Sequence, residues 1–146
     1  LGYTNMRYLA DMRDSEAEET FLRIANVHHQ VERCHDLRSI ILDETTTILV
    51  AEVELREEAV LPGLHERIQA ERDAILNQLP AKRRHDEKLH CYAAARAAVI
   101  VTLQRTEEII DELEAAVKQA LPRVRNITVE VEGIATLVEL PDQPPP

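Results

Sequence analysis

The chain has 146 residues, of which 45% are hydrophobic and only 3% aromatic, a composition that suits one domain with a modest aliphatic core. Its 27 acidic residues outnumber 17 basic ones and give a net charge of −10, which argues against a nucleic-acid-binding surface and favours cations or basic partners. The two cysteines form no CxxC pair, which argues against a disulfide framework and favours a reducing cytosolic setting. The longest apolar run, 93–103, is too short to span a bilayer, so we expect a soluble polypeptide. Because it starts without Met, we expect it to be a fragment of a longer protein.

The first predicted elements are a helix and a β-hairpin. Ser15 and Glu18 form a capping-box pattern, which predicts that a helix starts there. From Leu37 onward, two β-rich runs joined by the polar stretch DETT predict an antiparallel hairpin. The second run alternates apolar with acidic side chains, so one strand face should be buried and the other should carry carboxylates: Leu49, Ala51, Val53 and Leu55 against Glu52 and Glu54.

The chain is predicted to be almost wholly helical over residues 57–121 and extended beyond them. One helix is predicted to run to Pro80, because proline breaks the helical hydrogen-bond ladder. A charged connector, 81–88, leads into a second helix that includes the β-branched stretch AVIVTL, whose Ala-rich flank favours helix. The last predicted element is a half-buried strand in which three apolar residues alternate with three polar ones: Ile127, Val129 and Val131 with Thr128, Glu130 and Glu132.

This order of elements predicts an α+β fold of the form α-β-β-α-β, with a long helical insertion between the second strand and the last helix. Since each strand has one apolar face, helices should cover one side of the sheet and leave carboxylates on the other. Residues 1–12 show no clear period and are interpreted as a lead-in from an upstream segment. The Pro-rich tail, 135–146, is predicted to be disordered.

Two segments carry a resemblance to a known family. The first is VERCHDLRS, in which Val31 and the run from His35 to Ser39 match the motif V-x-x-V-H-D-L-R-[TS], with Cys34 in place of an apolar residue. The second is EEIIDELEAAVKQALPRVRNITVEVE, a helix broken by proline and followed by a strand. Together they resemble the cytosolic C-terminal domain of cation diffusion facilitator transporters, especially the branch that contains zinc transporter nine. The likeness covers roughly 9–56 and 104–133.

The resemblance implies a ferredoxin-like fold that dimerises on the cytoplasmic face of a membrane, below a membrane domain absent from this chain. It implies a regulatory and dimerisation domain over 13–134, with the insertion at about 57–103. Such domains help a metal/proton exchanger to assemble and to sense cytosolic divalent cations. The implied partners are a second copy, the transmembrane domain of the same transporter and divalent cations. No cofactor is required, although Zn²⁺, Mn²⁺ or Fe²⁺ could act at a regulatory site.

The resemblance also implies a set of candidate metal ligands. His35 matches a family position that can bind zinc, and neutral imidazole is a good Zn²⁺ ligand. The second-strand position falls on Ala51, or on Glu52 if the register differs by one residue, and the last-strand pair falls on Glu130 and Glu132. One imidazole among carboxylates would make a weaker zinc site than a His-rich one and would be more permissive toward Mn²⁺ or Fe²⁺.

A plain structural interpretation of the same residues stays open. His35 could orient a helix-to-strand turn by hydrogen-bonding Asp36, with Asp36 and Arg38 forming an ion pair or a turn-closing contact. The strand carboxylates could simply be solvated. His28 falls on the core stripe of the first helix and is predicted to pack there, with His29 as an extra ligand candidate.

The remaining signals are weaker. The stretch HDEKLHC offers two histidines that are poorly placed on one helix face, and Cys91 is interpreted as a small buried residue. No Gly-rich phosphate loop, GxSxG or HExxH occurs, so we do not expect an enzyme. Three functions follow: a metal-sensing regulatory domain, a metal-free dimerisation scaffold whose insertion docks partners, or a free-standing metal buffer.

Overall fold

The structure is a computed structural model that describes residues 12–135. The predicted lead-in, 1–12, and the predicted disordered tail, 135–146, lie outside the described residues except for Met12 and Ala135. Ala135 belongs to the last strand, so the prediction of disorder is wrong for this residue. The helices are α1 (Ser15–Val27), α2 (Glu57–Val60), α3 (Leu64–Asn77) and α4 (Glu87–Ala120), with a 3₁₀ turn at Ala81–Arg83. The strands are β1 (Val31–Asp43), β2 (Thr46–Arg56) and β3 (Val124–Ala135).

The three strands form one mixed sheet in the order β1-β2-β3. Strand β1 pairs antiparallel with β2, which confirms the predicted hairpin. Strand β3 pairs parallel with β2, an arrangement that needs a long crossover, here supplied by the helical chain between them. The fold is therefore α+β, as predicted from the order of elements.

The described residues divide into two compact units, and the sheet belongs to the first, which comprises 12–57 and 109–135. Helix α1 packs against β1 and β2. The core of this unit consists of apolar side chains from α1, from one face of β2 and from the part of α4 that starts at residue 109. These side chains are all at most 1% exposed: Ala17, Phe21, Ala25, Leu49, Ala51, Val53, Leu55, Ile109, Leu113 and Val117. The predicted division of β2 into an apolar face and an acidic face is confirmed.

The second unit comprises residues 58–108 and is helical. Its buried apolar side chains include Leu64 and Leu76 of α3 and Ala93, Ala97 and Val101 of α4. The prediction of one helix up to Pro80 is wrong, because the chain leaves the helical conformation at Pro62 and Gly63. Gly63 adopts φ +75°, a left-handed conformation that glycine tolerates. The stretch AVIVTL lies inside α4, as predicted.

The N-cap residue of helix α1 lies one position earlier than the capping-box pattern predicts. Asp14, not Ser15, is the N-cap, and its Oδ1 accepts a 3.0 Å hydrogen bond from the backbone N–H of Ala17. Glu18 does not close a capping box. Its carboxylate instead accepts hydrogen bonds from the side chains of Arg13 and Ser39.

The helix also ends earlier than predicted, at Val27, and β1 begins at Val31. The whole CHDLRS segment therefore lies within a strand and is not a helix-to-strand hinge. Over residues 12–135, no helix is long and apolar enough to cross a membrane.

Candidate functional site on the acidic face of the sheet

The centre of the CHDLRS segment is a β-bulge. His35 pairs with Glu52 and Arg38 pairs with Val50, so β1 has one residue more than β2 over this stretch. Asp36, inside the bulge, has φ 41°, in the left-handed region that only glycine, asparagine and aspartate visit readily. The expected ion pair between Asp36 and Arg38 is not formed, and both side chains are exposed. The polar run therefore forms a bulge in β1, which requires a left-handed backbone conformation that aspartate tolerates.

The bulge predicts opposite effects for two substitutions at this position. Asp36→Val should lower the free energy of unfolding by about 1–2 kcal/mol, because a β-branched residue is strained at positive φ. Asp36→Gly should leave it unchanged or raise it. Urea denaturation of both variants measures the difference, and equal effects of Val and Gly would contradict a left-handed Asp36.

The bulged strand places His35 on the sheet face opposite the core. Residues that pair directly across antiparallel strands share a face, so His35 lies beside Glu52, whose parallel partner on β3 is Glu130. Of the two second-strand candidates, Glu52 is on this face, whereas Ala51 is fully buried in the core. The face that carries His35 is therefore the carboxylate face that the alternation of β2 and β3 predicts.

Within this face, His35 approaches two carboxylates from two strands. Its Nε2 lies 3.7 Å from Oε2 of Glu132 and 3.9 Å from Oε2 of Glu54. Neither Glu52 nor Glu130 comes within ion-pairing distance of the imidazole. The structure thus brings together His35 and Glu132 from the predicted set and adds Glu54, which the sequence reasoning missed. The signal for Glu54 was present, since it shares the acidic face of β2 with Glu52.

Metal binding by His35, Glu54 and Glu132 would need all three side chains to reach one ion. First-row metals require ligand atoms at about 2.0–2.2 Å from the ion and usually at least three protein ligands. Among residues 12–135, no group of three His, Cys, Asp or Glu side chains is placed to hold a metal ion. Cys34 does not supply the missing ligand, because it pairs with Val53 on the core side of the sheet. Burial raises the pKa of its thiol, which disfavours the thiolate that binds metals.

The last residue of CHDLRS ties β1 to the start of α1. Ser39 is 7% exposed, and its hydroxyl accepts a 2.7 Å hydrogen bond from the backbone N–H of Asp14. The same hydroxyl donates a 2.6 Å hydrogen bond to Oε1 of Glu18. Burial opposes ionisation of Glu18, but the hydrogen bonds from Ser39 and Arg13 lower its pKa overall. Ser39 therefore has a structural role, because its hydrogen bonds hold β1 to the start of α1.

His28 and His29 follow the last residue of α1 and stack on each other, with ring centroids 5.3 Å apart. Nε2 of His28 lies 3.3 Å from Oε2 of Glu112 on α4. Nδ1 of His28 and Oε1 of Gln30 are buried without a hydrogen-bond partner within the described part of the chain. The side chain of His28 is 15% exposed, which agrees with the packed position predicted for it.

The HDEKLHC segment is a polar helix start. Nε2 of His90 lies 2.5 Å from the carbonyl oxygen of Arg84, so this imidazole is engaged with the backbone. His85 is exposed and precedes the helix. Cys91 is exposed, so its interpretation as a small buried residue is wrong. The cause is that the core side of α4 begins with Ala93, two residues later.

Three comparisons with known proteins were made for this chain. A scan against models of protein families finds no match, and searches of curated proteins and of solved structures find none either.

Proposed function

We propose that this chain is the cytosolic regulatory and dimerisation domain of a divalent metal cation efflux transporter, with a ferredoxin-like fold. The observation that carries the proposal is the sheet: a hairpin and a parallel third strand, with helix α1 against it and an acidic second face. An α+β fold with a mixed sheet supports this proposal, because it is broadly compatible with the fold that the resemblance to cation diffusion facilitators implies. The CHDLRS motif has a structural role in such a domain, because it forms the bulge in β1 and because Ser39 hydrogen-bonds to Asp14 and Glu18 at the start of α1.

Dimerisation without a bound metal is one form that this function could take. The acidic face offers His35 with two carboxylates at 3.7 and 3.9 Å but no group of three ligands. A scaffold role needs no such group. In this role the domain would hold two copies of a transporter together through protein contacts alone.

The parent gene gives the most direct test of the transporter part of the proposal. We expect the coding sequence upstream of Leu1 to encode six membrane-spanning helices. A transcript that starts close to Leu1, with no such segment, would contradict a transporter domain and favour a free-standing protein.

Cation sensing is a second candidate function, favoured by one observation, the approach of His35 to Glu54 and Glu132. Calorimetric titration of the metal-stripped chain with Zn²⁺ and Mn²⁺, with small-angle scattering in parallel, separates it from a scaffold. For the scaffold we expect dimer dimensions that are the same with and without cation and unchanged by His35→Ala. Micromolar binding that compacts the dimer, is lost in His35→Ala and is kept in the exposed control His65→Ala would establish a sensor.

A further inference from the structure

Helix α4 exposes an apolar stripe within the second compact unit. Tyr92, Val99 and Leu103 are 61%, 59% and 65% exposed. At about 100° per residue, Val99 and Leu103 lie about 20° to either side of the direction of Tyr92, so the three share one narrow face of the helix. The buried residues of this helix segment, Ala93 and Val101 among them, lie on a different face. The stripe is therefore not the side on which the helix packs in its own unit.

Two side chains of opposite charge flank the stripe on the same side. Arg96 lies about 40° and Glu107 about 60° from the direction of Tyr92, both in the same sense of rotation. Both are exposed, and neither forms an ion pair with another described residue. The neighbouring Glu108, by contrast, pairs with Arg67 at 2.8 Å and with Arg105 at 3.0 Å. The flank thus carries one cationic and one anionic side chain, eleven residues apart, that have no ion-pair partner among residues 12–135.

We propose that two copies of this chain associate along this stripe, with their α4 helices antiparallel about a two-fold axis. A two-fold axis perpendicular to two antiparallel helices puts the charged flanks of both copies on the same side of the contact. Arg96 of one copy then meets Glu107 of the partner subunit, and the same pair forms twice. The surface is its own electrostatic complement in this orientation, which is why the occupant is a second copy.

The same register also places the apolar side chains correctly. With Arg96 opposite Glu107 of the partner subunit, the axis passes midway between residues 101 and 102. Val99 then lies against Leu103 of the partner subunit, within about one residue, which is about 1.5 Å along the helix. A parallel pair would turn each flank toward the opposite flank of the other helix, and Arg96 would not meet Glu107. The charges therefore select the antiparallel pair, and the apolar side chains fill its centre.

This inference rests on the dimerisation part of the proposed function and names its surface, and it requires no cation. Sedimentation of the purified full chain over a concentration series gives the dissociation constant of the dimer. We expect Arg96→Glu and Glu107→Arg each to weaken the dimer by about tenfold or more, because each homodimer would then hold two like-charge pairs. Mixed together, the two variants should form a heterodimer of near wild-type affinity, since both cross pairs are again Arg with Glu.

Two matched controls accompany these variants. Lys82→Glu reverses an exposed charge on the 3₁₀ turn, off the stripe, and should leave the dimer unchanged, whereas Leu103→Glu should abolish it. Circular dichroism confirms that each variant is folded. A dimer that is insensitive to Leu103→Glu and to both charge reversals would overturn the inference and leave dimerisation through another surface intact. A monomer at all concentrations would overturn both, and failure of the mixed variants to pair would overturn the antiparallel arrangement.

Discussion

Replacing Asp14 by Ala is expected to lower the free energy of unfolding by about 3 kcal/mol, because it removes a helix cap and the buried carboxylate that pairs with the half-buried Arg123. Asp14 is 8% exposed. Its carboxylate accepts hydrogen bonds from Arg123 at 3.0 and 2.9 Å, from the hydroxyl of Thr47 at 2.8 Å and from the backbone N–H of Ala17 at 3.0 Å. One side chain thus joins the start of α1 to the start of β2 and to the segment before β3. Urea denaturation followed by circular dichroism measures the loss.

Glu16→Gln is the matched control for this substitution. Glu16 also contacts Arg123, from the same end of α1, but its side chain is 66% exposed. We expect this variant to lose less than about 1 kcal/mol, the usual range for an exposed ion pair. A double-mutant cycle with Arg123→Ala then isolates the coupling between Asp14 and Arg123. Equal losses in Asp14→Ala and Glu16→Gln would contradict a special role for the buried carboxylate.

The strand faces could be predicted from the sequence, whereas the ends of α1 could not. Alternation with period two reports directly which side of a strand a residue occupies, so the core positions of β2 and β3 were recoverable. The cap of α1 depends on tertiary partners, because Asp14 is selected over Ser15 by its contacts with Thr47 and Arg123. Those partners lie 33 and 109 residues away in the chain, beyond any local pattern such as a capping box.

The candidate site could be predicted only in part, because irregularities in the strands also depend on tertiary structure. The resemblance grouped Glu52 and Glu130 with His35, and the strand register places the three on one face. The bulges then decide which carboxylates come close. One lies at Asp36, and another displaces β3 by one residue between the partners of Val53 and Glu54, at Glu132. Alternation does not encode such extra residues, so Glu54 was missed although it was on the predicted face.

The stability of the domain should fall in acid through the same carboxylate that caps α1. The hydrogen bonds from Arg123, opposed by burial and assisted by Thr47 and Ala17, lower the pKa of Asp14 from 3.8 to about 2. Because the folded-state pKa is below the unfolded value, Asp14 stabilises the fold fully above about pH 4, and this stabilisation is lost as the pH falls through 2. The loss attributable to this group is about 2 kcal/mol.

Comparing the wild-type chain with Asp14→Asn isolates this contribution, because the other carboxylates are common to both proteins and cancel. We expect the wild-type chain to be the more stable by about 2 kcal/mol or more at neutral pH and the difference to shrink between about pH 4 and pH 2, as protonation makes Asp14 resemble the amide. Urea midpoints measured at several pH values give the difference directly. A difference that does not change with pH would mean that the Asp14 carboxylate titrates alike in the folded and unfolded chains, so that its contacts with Arg123 and Thr47 do not favour the ionised form.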